Sequence, residues 1–155
     1  MTLKVGDKAP VFCLKDVDGN NFDSESLIGK KMVVIYFYPK DNTAICSAQA
    51  CSFRDNYQDF QDYGAELIGV SSDNQQSHRD FSKKYKLPFV LLSDENQKIK
   101  KQFGVSSQFF GLLSSRITFV IDENGIIQMI FDSVLGKAHI TKALKKVKEL
   151  AIINK

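Results

Sequence analysis

The chain has little of what marks a secreted, membrane-bound or metal-built protein. Three cysteines make an odd count, which argues against a framework of paired disulfides. The two histidines, His78 and His139, lie far from the cysteine pair in sequence. A C-x4-C spacing with distant single histidines does not match the four-ligand patterns of zinc, so neither a metal nor a cofactor is expected. No apolar run approaches the ~20 residues of a membrane helix, and no membrane partner is expected. The opening MTLKVGDKAP carries charge where a secretion signal needs an apolar stretch, which sets the expectation of a cytoplasmic protein. A net charge of +3 is too weak a bias to argue for nucleic acid. The lysines of KKQFG and KALKKVKEL suit solvated helix faces. Repeats, low-complexity tracts and Pro/Gly-rich linkers are missing too. At 155 residues, 43% of them hydrophobic, the chain suits one domain over 1–155 with its own core.

What is present alternates in period. VFCLKDVDGNNF predicts two short strands around an Asp-Gly turn. MVVIYFY at 32–38 is a continuous apolar, β-branched and aromatic run, the pattern of a strand buried on both faces. Across 44–63, Ala50, Phe53, Tyr57 and Phe60 recur at helical steps, and Gly64 stands where such a helix should end. AELIGVSS (65–72) predicts a second buried strand, QSHRDFSKKYKL (76–87) an amphipathic helix bounded by Pro88, and FVLLSD a third strand. A short helix follows around Asn96 to Phe103. RITFVIDENGIIQMIF predicts a hairpin turning at Asn124-Gly125, and a last helix runs from Ala138 to Ile152. Alternating strands and helices, then a hairpin and a helix, indicate an α/β protein. The order suits a thioredoxin-like fold, with a mixed central sheet, helices on both faces and an N-terminal β-hairpin.

The stretch YFYPKDNTAICSAQAC (36–51) carries the chemistry. Thr43 immediately precedes the helical pattern and is a favoured N-cap residue. Cys46 then falls in the first turn, where unpaired backbone N–H groups and the positive end of the helix dipole favour an anion such as a thiolate. A small buried core cysteine is the plainer alternative. Cys51 follows five residues on, about 140° around the helix and ~7.5 Å along its axis. The implied Cα separation, about 8–9 Å, exceeds the ~7 Å reach of a disulfide. Such a pair can bond only if the first turns unwind, a poor staple but a workable switch.

Pro39, Thr43 and Cys46 match Pro-x-x-x-Thr-x-x-Cys, and this segment resembles the active-site motif of the peroxiredoxins. The second cysteine five residues on is similar to the peroxiredoxin Q, or bacterioferritin comigratory protein, subgroup. VGDKAPVF, VVIYFYPKD, CSFRD and RITFVIDENG look like further family segments in the expected order, so the resemblance covers most of the chain. It implies that Cys46 is the peroxidatic cysteine and Cys51 the resolving one. It further implies that the Thr43 hydroxyl contacts thiolate and peroxide, that Pro39 shields the pocket, and that Arg116, just before ITFVID, is the active-site arginine. Two departures stand out. Thr43-Ala44-Ile45-Cys46-Ser47 replaces the common Thr-Pro-Gly-Cys-Thr, which changes the stiffness of the turn entering the helix. Gln49 stands where glutamate is frequent, losing a charge but keeping a hydrogen-bonding side chain.

The implied activity is a thiol-dependent peroxidase acting on hydrogen peroxide and organic hydroperoxides. It passes through a Cys46 sulfenic acid and an intramolecular disulfide, re-reduced by a thioredoxin-like reductant. The expected assembly is a monomer or weak dimer. Two other readings remain: a peroxide-sensing thiol switch that signals through a partner, and a thiol–disulfide oxidoreductase, against which the lack of CxxC counts. Cys13, flanked by apolar residues in VFCL, is expected to be structural, His78 to lie on a helix surface, and His139 to start the last helix outside the mechanism. Arg54, three residues past Cys51, is a candidate supporting residue. Phe109, Phe110, Leu112 and Leu113 form an apolar run in a predicted loop that suits core packing, a cover over the site or a subunit contact.

Overall fold

A computed structural model describes residues 3–104, 116–133 and 136–153. Cys13–Lys15 (β1) and Asn21–Asp23 (β2) form the opening hairpin. The Asp16 carboxylate closes its turn by accepting from the N–H groups of Asp18 and Asn20. The chain then runs through β3 (Met32–Phe37), α1 (Ala44–Asp55), α2 (Tyr57–Asp62), β4 (Ala65–Ser71), α3 (Gln75–Tyr85) and β5 (Val90–Ser93). It finishes with α4 (Lys98–Gln102), β6 (Ile117–Ile121), β7 (Ile127–Asp132) and α5 (Gly136–Ile153). The apolar run 109–113 lies outside the described residues.

The sheet order is β2-β1-β5-β4-β3-β6-β7. β3 pairs in parallel with β4, and β4 with β5; β6 runs antiparallel to both β3 and β7. Every residue of β3 is buried, as expected for a central strand covered on two faces. Its alternation divides the core. Val34 and Tyr36 face a cluster with Phe53, Phe60, Phe81 and Val147 from the helices. Val33, Ile35 and Phe37 face the other side, with Ile99, Phe103 and Phe119. This is a thioredoxin-like α/β architecture with helices on both faces and a short N-terminal hairpin.

The helix predicted over 44–63 is two. It breaks at Asn56, whose backbone sits at φ −108°, ψ 7°, and whose side-chain amide donates to the Ser52 carbonyl at 2.8 Å. That carbonyl also takes the Asn56 backbone N–H. A short polar side chain competing for the helix's own acceptors favours an end over a continuation. The hairpin near Asn124-Gly125 is wider than a two-residue turn. Asp122 accepts from the N–H groups of Asn124 and Ile126, Gly125 takes a left-handed φ of 81°, and the register shifts between Val120 and Ile121.

Candidate active site

Strand pairing explains why residues 70 positions apart meet. Phe37, the last residue of β3, pairs with Ile117, the first of β6. Arg116, one residue earlier, is therefore delivered beside the point where the chain leaves β3 and enters the loop leading to α1. There the Arg116 Nη2 donates to Cys46 Sγ at 3.3 Å, while Nη1 donates to the Oε1 of Gln49. Cys46 and Gln49 are three residues apart on α1 and so share one helix face. All three side chains are buried, with Cys46 at 1% exposure. The buried-cysteine and reactive-thiol alternatives are thus not exclusive: the thiol belongs to the core and touches a guanidinium.

Thr43 takes the cap position with extended backbone, φ −80° and ψ 153°, and its carbonyl accepts the Ser47 N–H at 2.8 Å. Its side chain does not cap the helix as its residue type predicts. The hydroxyl instead turns back to donate to the Lys40 carbonyl at 3.2 Å, a bond made possible by the left-handed Asn42, φ 64°, which folds the loop upon itself. The consequence is chemical. The N–H groups of Ala44, Ile45 and Cys46, which have no intrahelical acceptor at this end, are not consumed by the cap side chain. Pro39 and Thr43 are exposed, so the loop is the solvent-facing edge of the group.

Cys51 is partly buried, and all three cysteines are free thiols. Arg54 is not part of the Cys46 cluster; its guanidinium donates to the Tyr85 carbonyl at 2.7 Å and to Asp55. Cys13 is exposed, contrary to the expectation of a structural thiol. On β1 the alternation turns Leu14 inward and leaves Cys13 and Lys15 outside. His78 is also corrected. It is fully buried, because the first turn of α3 faces the sheet, and its Nδ1 lies 2.7 Å from an Asp41 carboxylate oxygen.

Tyr36 also belongs to the site and escaped the sequence reading. Its ring stacks on Phe53 at 4.5 Å and on Tyr38 at 5.4 Å. Burial first, then the charges of Cys46 and Asp41, hold its phenol well above the usual range, against a lowering by Arg116. Gly69, the partner of Tyr36 in β4, makes room for the ring: a Cβ there would lie 2.9 Å from Tyr36 Cζ. A lone glycine inside an apolar strand is the sequence signal of such a close approach. Gly136 does the same at the start of α5, where a Cβ would come within 3.3 Å of the Ile45 carbonyl.

A buried thiol against a guanidinium, at the first turn of a helix beginning beside the end of a central strand, defines a thioredoxin-fold thiol site. Comparison with known proteins agrees. Residues 5–130 match the AhpC/TSA family. The chain is 46% identical over 146 residues to the chloroplastic peroxiredoxin Q of Sedum lineare, spanning 94% of this chain and 78% of that protein. Among solved structures it superposes with TM-score 0.87 on the peroxidoxin BcpB of Mycobacterium tuberculosis, at 32% identity, covering 96% of this chain and 98% of that one. The bacterioferritin comigratory protein of Xanthomonas campestris, whose alkyl peroxide reduction activity has been studied structurally, gives TM-score 0.81 at 29% identity over 90% of this chain and 92% of that one. The chain belongs to the AhpC/TSA family of peroxiredoxins, in the peroxiredoxin Q and bacterioferritin comigratory protein group. It is a thiol-dependent peroxidase, an oxidoreductase.

Proposed function

We propose that the peroxidase reaction of this chain runs through Cys46, with Cys51 as the resolving thiol. The observation carrying this reading is the Arg116 guanidinium 3.3 Å from the Cys46 sulfur at the first turn of α1. The Cys46 thiolate attacks one peroxide oxygen; the S–O bond forms as the O–O bond breaks, and the departing oxygen leaves as water or an alcohol after protonation. Negative charge moves from sulfur to that leaving oxygen. Arg116 and the free first-turn N–H groups are fixed donors around this path, the arrangement that lowers barriers by electrostatic preorganisation. Gln49 holds the guanidinium from its other side, and Pro39 and Thr43 form the entrance, with the Thr43 hydroxyl close enough to the helix start to turn onto substrate.

The product is a Cys46 sulfenic acid. Cys51 attacks that sulfur, releasing water and leaving a disulfide, which an external thioredoxin-type dithiol reduces by exchange. Hydrogen peroxide and organic hydroperoxides both fit a site whose polar groups address only the two oxygens. A reducing compartment such as the cytoplasm suits three unbridged thiols. The large apolar side chains exposed among the described residues, Val5, Val11, Ile45, Tyr63 and Ile152, are scattered along the chain, which fits a monomer or weak dimer.

Peroxide consumption by cysteine variants tests this assignment. Cys46→Ser should abolish turnover with the fold intact, while Cys13→Ser keeps most of it. Cys51→Ser should consume one equivalent and stall, then pass to Cys46 sulfinic acid under excess peroxide. Substantial turnover by Cys46→Ser would refute the assignment.

A further inference from the structure

Between Pro39 and Ile45 every residue but one is exposed, and the exception is the acid, Asp41. Burying a carboxylate costs several kcal/mol unless it is paired and hydrogen-bonded, so its partners show what the burial achieves. The Tyr38 hydroxyl donates to one carboxylate oxygen at 2.7 Å. The Ser77 hydroxyl, at 2.8 Å, and His78 Nδ1, at 2.7 Å, reach the other. The second ring nitrogen of His78 faces the Leu92 carbonyl at 3.0 Å. The Tyr38 and Ser71 hydroxyls also approach the ring, 3.4 Å from Nδ1 and Nε2 respectively, so both nitrogens of the pair have polar partners. The Asp41 backbone N–H donates at 2.7 Å to Asp73, whose same oxygen takes the Ser71 hydroxyl at 2.8 Å. The oxygens and nitrogens that could ligate a cation, all within 4.8 Å of one another, are thus engaged with each other and with protein donors.

None of these groups is within the Cys46–Arg116–Gln49 cluster, yet they fix the loop that carries Pro39 and Thr43 to it. We propose that the buried Asp41–His78 pair is the positioning element of the peroxide site. It clamps the entrance loop to α3 and to the ends of β4 and β5, so that the donors around Cys46 stay aimed while the helix beyond Thr43 is free to unwind. His78 and Asp41 are positioning residues, acting through Pro39, Thr43 and the start of α1. The proposal rests on Cys46 being the peroxidatic thiol.

This role makes a distinction that stability alone does not. Peroxide attack depends on aligned donors, whereas alkylation by iodoacetamide needs only an accessible thiolate. In His78→Phe the Cys46 oxidation rate should fall about tenfold or more, the scale of a displaced catalytic group. Its alkylation rate should stay within about twofold of wild type, so the ratio of the two rates collapses. Asp41→Asn should largely keep the ratio, because its amide is the same shape and can still hydrogen-bond the His78 ring and the two hydroxyls of the clamp. Peptide mapping assigns each modification to a cysteine; first oxidation at a thiol other than Cys46 in the wild type would refute the underlying site assignment instead. A folded His78→Phe with an unchanged ratio, or an Asp41→Asn that loses as much as His78→Phe, would overturn the proposal. Should His78→Phe not fold, Ser77→Ala removes a single donor to Asp41 and should lower the ratio by about threefold; an unchanged ratio there overturns it equally.

Discussion

Helix α1 is fastened unequally along its length. From Ala44 to Cys51 its inward groups are Cys46, Gln49 and the small Ala50, while Ala44, Ile45 and Ala48 face solvent. From Ser52 onward, Phe53 is fully buried and packs against Tyr36, Phe60 and Phe89. Arg54 ties the same turn to the Tyr85 carbonyl. Cys46 thus rides on the half of the helix that buries only small or polar side chains, and the half behind Cys51 is anchored in the aromatic core. Arg116, by contrast, belongs to the edge of β6 beside the central strand and need not move. A thiol on the lightly packed end of a helix, facing a cation fixed on the sheet, is what the proposed cycle through an i, i+5 disulfide requires.

Hydrogen exchange should show this division most strongly. In the reduced protein the amides from Ser47 to Asp55 should be protected; in the Cys46–Cys51 disulfide form, protection should vanish across 47–51 because that bond is out of reach in an intact helix. Residues of β3 and β4 should not change. Equal protection of 47–51 in the two forms, or peptide mapping that pairs Cys46 with Cys13, would end this account.

Substitution should separate the halves energetically. Phe53→Ala removes a buried ring stacked at 4.5 Å on Tyr36 and should cost about 3–5 kcal/mol in denaturant unfolding. Ile45→Ala, at a position 51% exposed, should change stability by no more than ~0.5 kcal/mol. Comparable losses would show that the first turn is as firmly held as the third. Next in size is the fixed cation. Arg116→Lys keeps the charge but loses the planar fork that reaches Cys46 and Gln49 together, and should slow Cys46 oxidation by about tenfold, ~1.4 kcal/mol of barrier. A stopped-flow rate within about twofold of wild type would remove Arg116 from the chemistry.

Much of this was legible in the sequence, and the limits are physical. The buried strand at 32–38, the helix start at Thr43 and the placement of Cys46 follow from local patterns, because they depend on neighbours a few residues away. Arg116 was named from the family resemblance alone, but its bond to Gln49 depends on the antiparallel register of β3 and β6. Asp41 and His78 were invisible for the same reason. Each has a routine local reading, a loop acid and a polar helix residue, and only the packing of α3 against the loop brings them to 2.7 Å. The missed helix break at Asn56 has a different cause: apolar periodicity continues through it to Phe60 while the backbone does not. Cys13 misled because apolar flanks say nothing of which strand face a residue takes.

The second buried histidine offers the smallest and most specific test, since the Arg116 charge acts on it. His139 Nδ1 lies 2.7 Å from the Thr118 hydroxyl and its Nε2 lies 2.8 Å from the Ser133 carbonyl. The hydroxyl can donate to one nitrogen while the other donates to the carbonyl, so the neutral ring satisfies both. Burial lowers its pKa from the ordinary 6.5, the Ser133 carbonyl partly restores it, and the Arg116 charge lowers it further. The unfolded chain therefore binds the proton more readily than the folded one. The neutral-form stabilisation is fully present above about pH 6.5 and is lost as pH falls through the depressed folded value. In urea melts from pH 7.5 down to 5, the stability gap between wild type and His139→Gln should be widest at the alkaline end and narrow steadily with acid. A gap that stays constant over that range would mean that His139 is not held neutral by its burial and by Arg116.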